Sequence, residues 1–153
     1  MSMEGDAVTG AEEGPYTIAI NIDGPRDPQY VLELAEGFAG IARTLNHLTL
    51  SHEALEYPGE AHALIVSLAS AVSRLPQLLG QVSGWLGQEQ EAGRVRVPAG
   101  EYRGSPALAV AAARLMLDHA AVTAELLREA LDAVSAVTCD LGAIETEGGR
   151  GDG

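Results

Sequence analysis

Between Pro58 and Gln90 the chain repeats Ala61, Ile65, Leu68, Val72, Leu75, Leu79, Val82 and Leu86 at alternate steps of four and three. That spacing keeps one stripe of an α-helix turned toward a partner. A second row of Leu64, Ala71, Leu78 and Trp85, each seven apart, widens the stripe, while Ser70, Arg74, Gln77, Gln81 and Gln88 fall on the other side. The stretch therefore predicts a helix over about 58–90 that needs company on one face and tolerates water on the other. Pro76 lacks the N–H that would bond the Val72 carbonyl. Since the apolar phase is the same on both sides of it, a kink within one helix is expected. Gly80, Gly84 and Gly87 share an edge of the helix that could admit another backbone closely, or mark a fraying end.

The other elements follow by the same rules. Tyr16 to Asp23 alternates Tyr16, Ile18, Ile20 and Ile22 with smaller or polar residues, the pattern of a strand with one apolar face over 16–23. A lone strand needs a partner. Arg94–Val97 is the best one within the chain, and the same strand of a second subunit would serve equally well. Asp27 before Pro28 opens a helix over about 28–50, on which Val31, Leu34, Phe38, Ile41, Leu45 and Leu48 form the apolar row. A continuation toward Leu55 is allowed before EYPGE interrupts. Ser105 before Pro106 opens the last helix, over about 105–144, by the same capping logic. Its main row is Val110, Ala113, Leu117, Ala120, Ala124, Leu127, Leu131, Val134 and Leu141; a second row is Leu108, Ala112, Leu115, His119, Val122 and Leu126. Arg114/Asp118 and Arg128/Asp132 stand at supportive i, i+4 spacing. Residues 1–15 and 146–153 read as flexible tails around a single domain over 16–145.

The fold class expected is mainly α: three long helices in an antiparallel bundle, with a short N-terminal strand and a second strand in the linker. At 1.5 Å per residue the helices would be about 33, 46 and 58 Å long. The shorter ones cannot cover the longest from end to end, so a homodimer is expected to cover the surplus apolar surface.

Composition narrows the function. The 153 residues are 46% hydrophobic but only 4% aromatic, so the core is aliphatic and poor in platforms for stacking bases or sugars. The net charge is −13 and all basic residues are arginine. More than half of the acidic excess lies in residues 1–27 and 140–153. No broad basic face exists to replace the counterions of a nucleic acid, so direct binding to one is not expected. Cys139 is the single cysteine, which leaves no internal disulfide, and its helical phase predicts an exposed thiol. Nothing at the amino terminus joins a basic region to an apolar run, and charge interrupts the apolar stretches elsewhere. A cytoplasmic protein away from membranes is expected.

His47, His52 and His62 lie near Glu53, Glu56 and Glu60, but on a continuous helix His47 and His52 would be about 140° apart, whereas helical zinc pairs stand four residues apart. No metal or cofactor is expected. His119 lies in an apolar row and reads as a core histidine. No serine has a nucleophile-elbow context and no glycine-rich loop has the phosphate-binding pattern, so no catalytic residue is assigned. Arg94, Arg96 and Arg103 form the only local basic excess. They read as part of a solvated connector, or as a contact for an acidic partner or phosphate.

LNHLTLSHEALEYP (45–58) and RLPQLLGQVSGWL (74–86), with the alanine-rich last helix, resemble small uncharacterised helical proteins of actinobacteria, of the kind found on plasmids, integrative elements and phages. The resemblance covers about residues 16–145 and implies an accessory role on a mobile element, with no active site. Trp85-Leu86-Gly87 has the Trp-x-Gly form of a secretion-substrate family whose tripeptide lies in the turn of a helical hairpin. Here Trp85 stands inside an apolar row and the family's tyrosine-containing tail signal is missing. The reading reached is a non-enzymatic interaction or assembly module, homodimeric, with an unidentified protein partner. Its interface candidates are Leu78, Gly80, Gly84, Trp85, Arg94 and Arg96. The alternative is a regulator binding a small molecule or metal around His52, His62 and His119.

Overall fold

A computed structural model describes Gly24 and residues 26–141. It contains α1 (Pro28–Leu48), a 3-10 turn (His52–Ala54), α2 (Pro58–Val72), α3 (Leu75–Glu91) and α4 (Pro106–Thr138). The chain is mainly helical, and no strand occurs among the described residues. The strand expected at 16–23 lies outside them. Residues 94–97, expected as its partner, are not a strand; their linker closes on itself instead. The Gly104 N–H donates to the Val97 carbonyl at 2.9 Å, and Gly100 and Gly104 take positive φ values of 85° and 76°, which bend the chain where a side chain would resist.

The helix boundaries have local causes. Asp27 caps α1, its Oδ1 accepting from the Gln29 N–H at 2.9 Å, and Pro28 follows where a missing N–H costs nothing. The helix stops at Leu48 rather than continuing toward Leu55. Thr49 Oγ1 donates back to the Leu45 carbonyl at 2.9 Å and Ser51 Oγ accepts from the Glu53 N–H at 3.2 Å, both of which compete with a helical ladder. At α2 the Glu60 carboxylate folds back to accept from the Glu56 N–H at 2.6 Å and the Tyr57 N–H at 3.3 Å.

Two helices replace the single kinked helix expected over 58–90. They meet at Ser73 and Arg74, which keep right-handed φ/ψ. The Arg74 N–H bonds to Ala71 rather than Ser70, at 3.2 Å, so the chain tightens by one residue just before Pro76. The end of α3 is a Schellman motif: Gly93, at φ 70°, donates to Gln90 at 3.0 Å and Arg94 donates to Glu89 at 3.0 Å. Pro106 begins α4 as expected, but Ser105 makes no side-chain cap. α4 ends at Thr138, six residues short of the expected 144.

Residues up to Ala54 form one compact unit and those from Leu55 a second. In the first, Val31, Phe38, Ile41 and Leu48 of the expected α1 row are all more than half exposed, and Gly37 is the buried residue of the helix. In the second, α4 packs along both α2 and α3, while α2 and α3 touch little beyond their junction. The start of α2 lies beside the end of α4, where His62 Nδ1 is 3.0 Å from Thr138 Oγ1. The second half of α3 lies beside the first half of α4, where the Arg114 guanidinium reaches Ser83 and Gly87.

The most deeply buried residues of the seam between them are mostly small. Ala69, Ser83, Gly87, Val110 and Ala124 are buried, and among the described residues no large side chain is fully buried. The apolar row expected over 58–90 borders it: Ala61, Ile65, Val72, Leu75, Leu79 and Leu86 are half-buried, and only Leu68 and Val82 of the row are exposed. On α4 the first part follows expectation through Val110, Ala113 and Leu117. Beyond it, Ala124 is buried and Leu131 half-buried as the row requires, but Ala121, Arg128, Ser135 and Thr138 are half-buried too, and Leu127 and Val134 are exposed. A straight helix drifts about 20° per heptad from a strict seven-residue repeat, so a row extrapolated over four heptads slides off the contact.

Candidate interaction surface

Within the second unit, the two histidines singled out by sequence do not come together in one ligand site. His52 is exposed in the 3-10 turn of the first unit. In the second unit His62 is half-buried against Thr138, and His119 is exposed on α4 rather than held in a core. His119 is 19 residues before Thr138 on one helix, about 28 Å away at 1.5 Å per residue, so His62 and His119 cannot share a ligand. Thr138 Oγ1 lies 3.3 Å from the Ser135 carbonyl, to which it donates. That arrangement suits a His62 that donates from Nδ1 and pins the end of α4. Among the described residues no three His, Cys, Asp or Glu side chains gather as a metal ion would need.

Arg94 is engaged within the chain. Its Nε and Nη2 lie 2.7 and 2.6 Å from the two Glu89 carboxylate oxygens, a fork made possible by the Schellman turn. The hydrogen bond from Arg94 holds the Glu89 carboxyl below its usual range, and Glu89 raises Arg94. Arg96 and Arg103 are exposed and make no ion pair among the described residues. Cys139 is exposed as its phase predicted.

A shallow groove of about 280 Å³ runs along the α2–α4 seam, lined by Val66, Ala69, Ser70, Ser73, Arg128, Asp132 and Ser135. Its guanidinium is already taken: Arg128 donates to Glu125 from Nε at 3.0 Å and Nη2 at 2.7 Å, and Nη1 bonds Asp132. Glu125 is held below the usual carboxylate range, chiefly by the hydrogen bond from Arg128. An anion entering the groove would compete with two carboxylates, so the groove is a poor phosphate site. The other i, i+4 pair expected, Arg114/Asp118, does not form, because Arg114 turns to the seam.

The apolar side chains tell more. Leu78 is 52% and Trp85 58% exposed, on the same arc of α3. Gly80 and Gly84 lie more than 90° round the axis from that pair, with nothing within 4 Å of where a Cβ would stand. The four do not make one face. On α4 all six charged residues, Arg114, Asp118, Glu125, Arg128, Glu129 and Asp132, fall within an arc of about 100°. Outside that arc lie Leu108, Leu115, Met116, Val122, Leu126 and Val137, every one more than half exposed. Sequence reasoning missed the seam residues Ser83, Arg114 and Arg128, and offered Gly87 only together with Gly80 and Gly84, which lie in open space. The signal was present in the run of small residues at Ala69, Ser83 and Gly87, which large-residue periodicity hides.

By length and composition, Pro58–Glu91 and Pro106–Thr138 are also long and apolar enough to cross a membrane. Both carry charge within their length, at Glu60, Arg74, Glu89 and Glu91 and at the six positions of α4. No protein-family model, curated protein or solved structure matches the chain.

Proposed function

We propose that the protein is a non-enzymatic helical interaction or assembly module that works as a homodimer, with α2–α3 and α4 running antiparallel as a hairpin. The hairpin reading is supported by the pairing of His62 with Thr138 and of Ser83 with Arg114, whose numbers rise on one side as they fall on the other. The observation that carries the function is the apolar surface left open: the buried residues are few, the large seam residues such as Ile65, Leu79 and Leu117 are only half-buried, and Leu78, Val82, Trp85, Met116, Leu127 and Val134 stand exposed. Exposed apolar surface of that extent marks interaction sites. Arg96 and Arg103 are available to an acidic protein partner at the hairpin tip. The acidic balance of the chain argues against nucleic acid, and the mobile-element resemblance supports reading the module as an accessory protein.

Native mass spectrometry of protein purified without chelator tests this reading. A dimer with no additional mass is expected, and Leu78→Glu should shift it to monomer. A monomer at tens of micromolar, or a retained metal or small molecule, would sink it.

A further inference from the structure

The groove fixes which side of the α2–α3/α4 layer is polar. It uses Ser70 and Ser73 from α2 and Arg128 and Asp132 from α4, so these flanks lie on one side of the seam. Going the other way round each helix from the seam, by about 80–140°, one meets Leu78, Val82 and Trp85 on α3 and Met116, Leu127 and Val134 on α4. The two helical runs therefore turn apolar flanks to the same side. Between Ala61 and Gln88 only Arg74 is charged, and no charge of α4 falls on this flank.

Resting on the homodimer reading, we infer that a second copy of this chain covers that side, the two hairpins packing face to face as a four-helix bundle. The large exposed side chains of this flank run from Met116 to Val134 on α4, about 27 Å, and from Leu78 to Trp85 on α3. Their area favours a second copy over other occupants. Six side chains near half exposure, at about 100 Å² for a full aliphatic side chain and more for Trp, give with the leucines and alanines between them on the order of 500 Å² of apolar surface. The apolar part of a stable interface is about 65% of roughly 800 Å² per partner, which is the same size.

The test uses the full chain. Trp85 is its single tryptophan and lies on the side in question. Sedimentation should give a dimer for the unaltered protein and for Ala111→Glu, which adds charge to the polar arc, and a monomer for Met116→Glu and Val134→Glu with unchanged helical circular dichroism. Acrylamide quenching of Trp85 in the unaltered protein should rise several-fold on dilution through dissociation, which requires no variant to fold. A dimer that persists in Met116→Glu and Val134→Glu, or a Trp85 quenched equally at all concentrations of a proven dimer, overturns this surface while leaving the homodimer reading intact. A monomeric unaltered protein overturns both. If its Trp85 is then shielded only on adding phosphatidylcholine vesicles, a membrane is the occupant. If it is shielded without them, the same chain is.

Discussion

Gly93 is the residue whose replacement the backbone resists most plainly. At φ 70° it holds the Schellman turn that ends α3 and delivers Arg94 to Glu89. Gly93→Ala forces a Cβ into the left-handed region and should cost about 1 kcal/mol, measured by chemical denaturation; an unchanged midpoint would mean the turn does not contribute. The ion pair it positions has a definite pH sign. The Glu89 carboxyl is lowered in the folded chain, first by its hydrogen bond from Arg94. Its contribution is therefore complete above the usual carboxylate range and disappears as pH falls through the depressed folded value. The pair is exposed to solvent, so the effect is small. The stability difference between the unaltered chain and Glu89→Gln should be present at neutral pH and close in acid; a difference that widens in acid would contradict the assignment.

At the scale of the elements, the helices were legible where one residue type dictates a boundary. Asp27–Pro28 and Pro58 announce helix starts that packing need not rescue, and both stand where the sequence puts them. The facing of the helices was legible in outline, since Ile65, Val72, Leu75, Leu79 and Leu86 of the expected row are half-buried, but periodicity locates large apolar residues and the most deeply buried positions are mostly small ones. Leu68 and Val82 were expected in the seam, yet Ala69 and Ser83 occupy it one residue later. The histidine site failed for a related reason: proximity in sequence around His52 and His62 does not place His119, which belongs to another stretch of another helix. The glycines offer a direct check on facing. Gly80 and Gly84 are helical with open space around them, so Gly80→Ala and Gly84→Ala should each stabilise by about 0.5–1 kcal/mol through helix propensity and leave sedimentation unchanged. Loss of the dimer in either would mean that a backbone approaches along the glycine edge, as the sequence alone allowed.

For the whole molecule, the imbalance between buried and exposed apolar side chains sets how stability should respond to concentration. The described residues bury Ala69, Val110 and Ala124 and leave Leu78, Trp85 and Met116 more than half open, too thin a core to offset the ordering of so many residues. The cover supplied by a second copy then becomes part of the folding equilibrium. Unfolding of a dimer to two chains responds to mass action, each tenfold rise in concentration being worth about 1.4 kcal/mol. With an unfolding entropy of about 2.1 cal/mol/K per residue over the described residues of two chains, that predicts a rise in the thermal midpoint of about 3 °C per tenfold. Calorimetry across a hundredfold range should show it. A midpoint that stays fixed over that range would mean that the single chain is stable as it stands, and that its open apolar side is tolerated rather than covered.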